Sequence, residues 1–505
     1  MEVSPLYTCL ALFLVILTFK HFTTKNHRRL PPTPSPALPF IGHLHLLTPP
    51  LHRTFHCFSL THGPIFSLKL GVRRVVVVSS PDLVDECFTQ NDVVFSNRPR
   101  VLVDKYIGYN HTTIAGAPYG PHWRGLRRLG AAEALSPARL NALSEARQDE
   151  TRRALSRLAA AATAGGHGFS AVELRPRIFD VIFSIIMRTL AGEKYSSSGA
   201  GNGEFGGEIQ EMVSEVFESA QSSNPEDFVP ILKWIDYRGL KRKLSDLGKR
   251  LDDFYEELLA EERRERRCDT VIGHLLAMQE SDSQFYTDQT IKGFITNMIV
   301  AGTDTSVVTI EWAMSLLLNH PNVLEIARLE LDSKVEPHRL VEERDLPDLS
   351  YLQNIISETF RMFPAGPLVV PRESSSDCRV GGYDIPSGSI LLVNAWAIHR
   401  DPDVWEEPMR FKPERFEGGR EVPTENLLPF GMGRRACPGA GLGRRMVGLA
   451  LASLLQCFDW ERMGPDQVDL AEGVGLTMPK LKPLEAMCRP RQIMLEAIST
   501  RNVID

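Results

Sequence analysis

A single cysteine within a glycine-rich loop near the end of the chain is the first candidate for chemistry. Residues 429–443 read PFGMGRRACPGAGLG, and the glycines around Cys437 let the backbone turn tightly. The apolar run at 446–458 predicts a helix, so Cys437 lies just before a helix N-terminus. The helix dipole and unpaired N–H groups stabilise a thiolate there, which suits a permanently metal-bound sulfur.

The sequence around Cys437 restricts the kind of metal centre that it could serve. Zinc sites and iron–sulfur clusters need further soft ligands at set spacings, and none accompanies this cysteine. A single thiolate on iron is the arrangement of haem. Arg435, two residues before the sulfur, could pair with a negative group on the same ligand. The alternative is an ordinary buried thiol, which most free cysteines are.

A second motif places two hydrogen-bond donors on one side of a predicted helix. Trp123 and Arg127 are four residues apart, so an indole N–H and a guanidinium point the same way and suit a carboxylate. Arg124 and Arg128 face elsewhere and could form part of a basic docking surface for an acidic electron donor. Packing plus surface charge is the alternative for this motif taken alone.

A third motif lies in the middle of a long helix. Thr287 and Asp288 predict its start, and residues 319–321 predict its end, which gives about 48 Å of helix. Residues 301–305 read AGTDT, where the glycine and two threonines weaken the backbone hydrogen bonds. The sequence therefore predicts a locally opened helix with room for a small ligand. A kink with a capping hydroxyl is the alternative.

A fourth constellation combines charged side chains. Glu358 and Arg361 share a helix face and can pair through two hydrogen bonds. The sequence PERF follows at 413–416. A surface ion pair is the alternative, although the downstream PERF argues against it.

Together these motifs resemble the signatures of cytochrome P-450 monooxygenases. The resemblance implies haem b as cofactor, with Cys437 as the axial ligand of the iron. It also implies a group of cofactor-binding residues: Trp123, Arg127, Arg372, Arg435, Phe430, Gly433 and Gly439. The implied fold is mainly α with a small β-rich part, the cytochrome P-450 fold with an N-terminal membrane anchor.

The same resemblance assigns roles to the other two motifs. Asp304 and Thr305 match the family's oxygen-activation motif, in which an alcohol backed by an acid relays protons from water. Glu358, Arg361 and Arg415 match a structural triad that fixes the fold around the cysteine loop. Removing one member of such a buried network would strand a charge at a cost of several kcal/mol.

The implied chemistry is oxygen insertion with O2 and with NADPH electrons from cytochrome P-450 reductase. Thiolate ligation of the iron favours cleavage of the O–O bond. A reductase-independent haem-thiolate isomerase or dehydratase is one alternative, and the presence of Asp304 and Thr305 argues against it. A non-enzymatic haem sensor is a third hypothesis, and the intact acid–alcohol pair gives it little support.

Residues 301–306, 430–442 and 475–480 are similar to plant enzymes related to isoflavone hydroxylases. That resemblance implies a small phenolic substrate (flavonoid, benzophenone, lignan or similar), hydroxylated or oxidatively coupled, with herbicide or xenobiotic detoxification as the alternative. The predicted substrate contacts are Val300, Ala301, Leu368, Val369, Val370, Leu476 and Thr477, with the loop 101–116. Ala365 and Gly366 are smaller than expected and would widen the pocket.

The N-terminus predicts a membrane anchor. Residues 3–19 are almost entirely apolar, about 17 residues or ~25 Å of helix, and Lys20, Lys25, Arg28 and Arg29 follow them. No positive charge precedes the run and no small-x-small exit follows, which argues against a cleaved signal peptide. The positive-inside rule leaves the remaining chain cytosolic. A core helix is a further alternative.

The predicted organisation has three parts: a single-pass anchor in the endoplasmic reticulum membrane at 1–22, a basic and proline-rich hinge at 23–45, and a haem-thiolate catalytic domain at 46–505. Five prolines between 31 and 39 favour a stiff, extended hinge. Residues 65–70 and 75–78 are predicted as paired strands. Ser136 and Pro137 open a helix predicted to run to about Ala164.

Composition agrees with a globular enzyme. The chain has 505 residues, 43% hydrophobic and 24% charged, and a net charge of −6 gives no support to nucleic-acid binding. The eight cysteines are scattered, with no CxxC. A large core facing a reducing compartment fits this pattern better than a disulfide framework.

Overall fold

The computed structural model describes residues 28–501 apart from 164–165, 167, 196–201, 221–224, 235, 268 and 420–421. The predicted anchor at 1–22 and the hinge residues 23–27 lie outside the described residues. Among the residues that are described, no helix is both long enough and apolar enough to cross a bilayer.

Helices make up most of the described chain. In order they are α1 Leu51–His62, α2 Pro81–Phe88, α3 Leu102–Tyr106, α4 Pro121–Gly130, α5 Pro137–Ala142, α6 Ser144–Thr163, α7 Leu174–Ala191, α8 Asn202–Ser219, α9 Pro225–Phe228, α10 Pro230–Trp234, α11 Leu240–Glu265, α12 Val271–Ser281, α13 Asp288–Asn319, α14 Pro321–Lys334, α15 Ser350–Met362, α16 Ala395–Ile398, α17 Ala440–Cys457 and α18 Gln492–Arg501. Short 3-10 turns lie at Leu44–Leu46, Val94–Ser96, Glu193–Tyr195, Tyr237–Gly239, Glu343–Asp348 and Pro413–Gly419, and a π turn at Ala131–Leu135 follows α4.

The strands form three small sheets. They are β1 Ile65–Leu70, β2 Arg73–Val78, β3 Ser170–Glu173, β4 Arg372–Glu373, β5 Cys378–Val380, β6 Tyr383–Ile385, β7 Ile390–Val393, β8 Phe458–Glu461 and β9 Glu485–Pro490. The largest sheet has the order β1-β2-β7-β4, with β2 and β7 parallel and the other pairs antiparallel. The others have the orders β3-β9-β8 and β5-β6.

The predicted pairing of 65–70 with 75–78 is confirmed, with Ile65 opposite Val78. Successive side chains of a strand point to opposite faces. Val75 and Val77 accordingly pack into one apolar cluster, while Val76 and Val78 pack into another. The continuous valine run therefore reflects a strand that is buried on both faces.

The long helix α13 forms the centre of the largest apolar cluster and packs against α7, α15 and α17. Its predicted bounds are confirmed: the Thr287 side chain accepts a hydrogen bond from the Thr290 N–H at the start, and the helix ends at Asn319. The fully buried Trp312 stacks on Phe363 with ring centroids 3.9 Å apart.

The helix predicted from Ser136 to about Ala164 is not continuous. The Ser136 side chain caps its start, but the backbone leaves the helical region at Leu143 and divides the segment into α5 and α6. The Leu140 carbonyl at this break accepts a hydrogen bond from the Arg147 guanidinium. The Leu140 carbonyl is therefore hydrogen-bonded to a side chain at a point where a continuous helix would pair it with a backbone N–H.

Arg147 is held by a buried carboxylate that joins three elements. Its Nε and Nη2 atoms donate to the two carboxylate oxygens of Glu343 at 2.7 and 2.8 Å. Arg445 of α17 donates to Glu343 Oε1 at 2.6 Å. Burial alone would raise the pKa of Glu343, but hydrogen bonds and charge attraction from both arginines outweigh it and lower that pKa. Glu343 therefore couples α6 to the helix that follows the cysteine loop.

We expect Glu343→Gln to lower the free energy of unfolding at neutral pH by about 3–5 kcal/mol, because it leaves the Arg147 charge buried and uncompensated. The difference from wild type should shrink as pH falls through the lowered folded-state pKa, where Glu343 itself becomes neutral. Urea unfolding of the full chain at several pH values, followed by circular dichroism, measures this.

The matched control is Glu336→Gln, which removes an exposed carboxylate paired with Arg339 at 3.4 Å. Exposed pairs contribute about 0–1 kcal/mol, so the control should unfold nearly as wild type does. Equal effects of the two substitutions would contradict the role given to Glu343.

Candidate active site

The cysteine loop folds back on itself before α17. The Cys437 N–H donates to the Phe430 carbonyl at 2.8 Å, and the Ala436 N–H donates to the Gly433 carbonyl at 2.9 Å. Gly433 has φ +73°, a left-handed conformation that favours glycine. A methyl group at this position would also collide with the Asp92 carboxylate. The sequence therefore needs glycine here for the loop to close.

The Cys437 side chain is exposed, yet many protein atoms surround it. Burial is the largest influence on its pKa, which is raised, while the Gly439 N–H and the charge of Arg127 act in the opposite direction. The position before a helix is as expected, but loop and helix together do not ionise the thiol. A bound metal cation would do so, because a coordinating thiol loses its proton.

Buried arginines cluster around this loop. Burial, Arg372 and Arg127 lower the pKa of Arg435 to about 9. Burial lowers that of Arg372 to about 10. Arg372 Nε and Nη1 are buried with no hydrogen-bond partner in the described chain. The cluster therefore fits a ligand that carries more than one negative charge.

The predicted cofactor residues of this cluster are tied to backbone carbonyls. Arg127 Nη1 donates to the Ala436 carbonyl at 2.6 Å, and Arg372 Nη2 donates to the Met432 carbonyl at 2.7 Å. Arg435 Nε donates to the Ser96 carbonyl at 2.7 Å. Each guanidinium keeps further N–H groups for a ligand. The structure thus brings Arg127, Arg372 and Arg435 together at the cysteine loop.

Trp123 is placed differently from the prediction. Its indole N–H donates to the Ile114 carbonyl at 3.1 Å, so it does not share an acceptor with Arg127. The Arg435 guanidinium lies over its ring, 4.3 Å from the centroid. Trp123 has one N–H only, and the Ile114 carbonyl uses it. A direct contact between Trp123 and the cofactor stays a prediction.

Sequence reasoning missed Arg98. Its Nη1 donates to the Val370 and Pro371 carbonyls, both at 2.7 Å, and its Nε donates to the Ala115 carbonyl at 3.1 Å. Burial, Arg372 and Arg435 lower its pKa well below the usual value. The local sequence offers little that would indicate this role. Arg98 precedes Pro99, and a residue before proline favours an extended backbone.

The central helix is open to the interior at Ala301. This residue is exposed, although Ile299 and Thr303 on either side along the helix are buried. The predicted opening of the helix backbone is not seen, because α13 runs through the motif without a break. The Thr305 hydroxyl donates to the Ala301 carbonyl at 2.7 Å instead. Such side-chain bonds supplement the helix hydrogen bonds rather than replace them.

Asp304 binds a residue from the far end of the chain. The Thr477 hydroxyl donates to Asp304 Oδ2 at 2.8 Å. Burial raises the pKa of Asp304, while the Thr477 hydrogen bond and the charge of Arg175 act to lower it. Thr477 is itself buried, so this predicted substrate contact faces the acid. No local sequence pattern indicates this pairing, because the two residues are 173 positions apart.

Four of the predicted substrate contacts lie together on one cleft of about 580 Å³: Leu368, Val369, Leu476 and Thr477. Its other walls come from residues 49–52 and 473–478. Val300, Ala301 and Val370 lie outside this lining. Val369 has φ +51°, which is rare for a β-branched residue and indicates backbone strain.

The predicted triad forms a fully buried ion pair with a second arginine. Glu358 accepts from Arg361 Nε and Nη2 at 2.7 and 2.8 Å, and from Arg415 Nε at 3.0 Å. Neither Glu358 nor Arg361 is exposed. The two Arg361 distances are short, as those of charge-assisted hydrogen bonds are.

A buried histidine connects this triad to the cysteine loop. Arg361 Nη1 donates to the His399 carbonyl at 2.6 Å, and the Leu428 N–H donates to His399 Nε2 at 2.8 Å. Burial, Arg400 and Arg361 lower the pKa of His399 to about 3, so the ring is neutral and Nε2 can accept. Leu428 lies two residues before Phe430. Sequence reasoning missed His399, because this role depends on contacts distant in sequence.

Comparison with known proteins agrees with this site. The cytochrome P450 family description matches residues 31–484. The chain belongs to the cytochrome P450 family. It is an oxidoreductase of the monooxygenase type, and its family implies a haem cofactor. The exposed Cys437 thiol and the arginine cluster fit an iron-bound haem with two carboxylates.

The relatives of this cytochrome P450 include plant enzymes of similar length. It is 52% identical to cytochrome P450 81Q32 of Catharanthus roseus over 99% of both chains. It is 50% identical to (+)-piperitol/(+)-sesamin synthase of Sesamum radiatum over 98% of both. It is 47% identical to isoflavone 2'-hydroxylase of Glycyrrhiza echinata over 93% of this chain and 94% of the relative.

A solved zebrafish cytochrome P450 with abiraterone superposes with a TM-score of 0.74. It is 25% identical and covers 88% of this chain and all of its own. The mainly α fold with a small β-rich part is confirmed.

We expect Gly433→Ala to destabilise the cysteine loop and lower haem content. The left-handed backbone alone costs about 1–2 kcal/mol for a residue with a side chain, and the collision with Asp92 adds to this. Gly443→Ala is the matched control, because Gly443 lies inside α17 and an added methyl group would make an ordinary contact with Phe430. Alanine at that position should be neutral or stabilising by up to about 1 kcal/mol.

Haem absorbance per protein and the thermal midpoint measure both variants. Retention of full haem content by Gly433→Ala would contradict the steric argument.

Proposed function

We propose that this cytochrome P450 inserts oxygen into, or oxidatively couples, a small phenolic specialised metabolite, with NADPH electrons from cytochrome P-450 reductase. The observation that carries the proposal is an exposed Cys437 thiol beside the buried Arg372 and Arg435, with two Arg372 nitrogens that have no hydrogen-bond partner in the described chain. Two of the relatives, an isoflavone hydroxylase and a sesamin synthase, are named for phenolic substrates or products, which supports a phenolic substrate here. These names agree with the resemblance to plant isoflavone hydroxylases that the sequence motifs indicate.

Cys437 is proposed as the axial ligand of haem b. Arg372, Arg435 and Arg127 would hold the haem carboxylates, and Arg98 would join them, because all four are cations at the same place whose pKa values are lowered by burial, with Arg372 and Arg435 themselves buried. The remaining cofactor contacts stay as predicted: Trp123, Phe430, Gly433 and Gly439. Haem supplies oxygen activation when bound, and thiolate ligation promotes O–O cleavage.

Thr305 and Asp304 are proposed to handle the protons. The Thr305 hydroxyl donates to the Ala301 carbonyl, so its oxygen can accept a hydrogen bond from a water molecule that carries the proton. Burial raises the pKa of Asp304, which brings this acid closer to the range useful for proton transfer. The pair can therefore take a proton from water and hold it at the open face of α13.

The cleft is proposed to orient an aromatic substrate. Leu368, Val369 and Leu476 provide apolar walls that exclude water and suit a planar ring. Val300, Ala301 and Val370 are proposed as further contacts, with Ala301 at the open point of the helix. The experiment below distinguishes this proposal from two alternatives: hydroxylation of herbicides or xenobiotics, and a reductase-independent isomerase reaction.

We also propose the predicted organisation: an anchor at 1–22 in the endoplasmic reticulum membrane, a hinge at 23–45 and a cytosolic catalytic domain at 46–505. The described part of the hinge supports a fixed attachment. The Ser67 N–H donates to the Pro32 carbonyl at 2.7 Å, and the His43 N–H donates to the Lys69 carbonyl at 2.7 Å. The hinge therefore packs on β1 rather than extending freely.

We expect microsomes that contain this protein and a plant reductase to convert a member of a phenolic panel in an NADPH-dependent reaction, with products identified by mass. A gain of one oxygen indicates hydroxylation, and a loss of two hydrogens indicates ring closure. Cys437→Ala should abolish both turnover and the thiolate carbon monoxide spectrum, whereas Cys57→Ala, which alters an exposed cysteine of α1, should keep both.

Turnover without NADPH would favour the isomerase alternative. An unchanged carbon monoxide spectrum in Cys437→Ala would overturn the ligand assignment. Conversion of herbicides but of no phenolic would favour the detoxification alternative.

We expect Thr305→Ala to retain haem but lower the yield of product per NADPH by about 10²-fold, the lower end of what a proton-transfer group contributes. The lost electrons should appear as hydrogen peroxide. Thr309→Ala is the matched control, since the Thr309 hydroxyl makes the same kind of bond one turn later, at 2.8 Å to the Thr305 carbonyl, and is buried. Fully coupled turnover by Thr305→Ala would refute its role.

A further inference from the structure

The segment near the C-terminus lies along one face of the central helix. Trp312 Nε1 donates to the Met478 carbonyl at 2.8 Å, and the Leu484 N–H donates to a Glu311 carboxylate oxygen at 2.9 Å. Asp304, seven residues before Glu311, lies on the same face. The helix and the segment are therefore joined at several points over two turns.

The bond between Thr477 and Asp304 differs from the other joints. It connects the acid of the proposed acid–alcohol pair to the loop 473–478, which forms a wall of the cleft. The Thr477 side chain is buried and cannot exchange this partner for bulk water. A displacement of the cleft wall by a substrate would therefore move the hydroxyl that holds Asp304.

We propose that Thr477 is a positioning residue for proton delivery: its hydroxyl holds the Asp304 carboxylate, so that the cleft wall controls how electrons divide between product and hydrogen peroxide. This inference rests on the proposed function. In this inference the Thr477 hydroxyl acts by holding the Asp304 carboxylate, whereas the sequence predicted a direct contact between Thr477 and the substrate.

The balance of the reaction explains why proton delivery decides this division. Each cycle takes two electrons from NADPH and one O2. With correct delivery, one oxygen atom enters the substrate and the other leaves as water, and the two protons are consumed in that water. When delivery fails, the same electrons and protons release both oxygen atoms as hydrogen peroxide, and the substrate is unchanged.

The charges around Asp304 come from three elements. Arg175 of α7 lowers its pKa and Glu311 of α13 raises it. Arg175 and Glu311 themselves form an ion pair at 2.6 Å. Lys480, on the C-terminal segment, interacts with both. Arg175 and Glu311 act in opposite directions, and the neutral Thr477 hydroxyl is the hydrogen-bond donor that supports the ionised carboxylate directly.

We expect Thr477→Val, which keeps the shape but removes the hydroxyl, to lower product per NADPH about tenfold, less than the loss of a whole proton-transfer group. Peroxide should rise correspondingly, and the pH profile of coupling should move upward. Thr477→Ser should restore both. Unchanged coupling in Thr477→Val, while Thr305→Ala uncouples, would overturn this inference and leave the proposed function intact.

A second measurement does not depend on turnover. Because burial raises the folded-state pKa of Asp304, the folded protein loses stability as pH rises from the unfolded-state pKa to the folded one. Removal of the Thr477 hydroxyl should extend this loss to higher pH. The thermal midpoint of Thr477→Val should therefore fall more at neutral than at acidic pH, and the difference should vanish in the Asp304→Asn background.

Trp312→Phe is the matched control, because it removes a neighbouring joint of the same segment without altering a charge. It should lower the thermal midpoint equally at all pH values. The same uniform loss in Thr477→Val would show that Thr477 is only structural and would overturn the inference, even if no substrate had been found.

Discussion

The site depends first on the buried carboxylate of Glu358. A charge without exposure to solvent is unfavourable unless donors surround it, and Arg361, Arg415 and a backbone N–H of residue 412 supply them. The Arg361 guanidinium also donates to the His399 backbone carbonyl, and the Arg361 carbonyl accepts from His399 Nδ1 at 3.0 Å. The neutral ring then accepts at Nε2 from the Leu428 N–H, just before the cysteine loop. The loop is therefore positioned by electrostatics from two layers away, whereas its own glycines only permit the shape.

The proposed cofactor pocket has the opposite balance of charge. Arg98, Arg127, Arg372 and Arg435 donate to backbone carbonyls there. Arg372 and Arg435 are buried, and two nitrogens of Arg372 have no hydrogen bond in the described chain. Burial lowers the pKa of all four, and repulsion by neighbouring arginines adds to this for Arg98 and Arg435. An anionic ligand relieves both costs, so binding of haem and stability of this region are linked. Cys437 follows the same rule, because its thiolate becomes favourable when a metal cation compensates it.

Sequence patterns predicted what depends on local chemistry. The capping threonine and the proline at residue 321 define α13, and short apolar runs rich in β-branched residues define β1 and β2. The cysteine loop and the Glu358 pair were also readable, because their members lie close together in sequence. Arg98, His399 and the Thr477 partner of Asp304 were not, since their contacts lie in other elements, 29 and 38 residues away for His399, 173 for Thr477 and up to 273 for Arg98. Trp123 shows what helix spacing cannot predict. The spacing indicates which side of the helix the side chain occupies, but not that its N–H binds the Ile114 carbonyl.

The carboxylates of Glu358 and Asp304 differ in how their negative charge is compensated, and this difference fits their different proposed roles. Glu358 is surrounded by guanidinium groups at hydrogen-bond distance, and an ion pair of this kind fixes both charge and position. Asp304 has a neutral hydroxyl as its direct partner and opposing charges further away. A hydroxyl stabilises the ionised form less than a guanidinium does, so burial keeps the pKa of Asp304 raised. A carboxylate held in this way can gain and lose a proton without disrupting its surroundings, which suits the proposed relay and would not suit a structural ion pair.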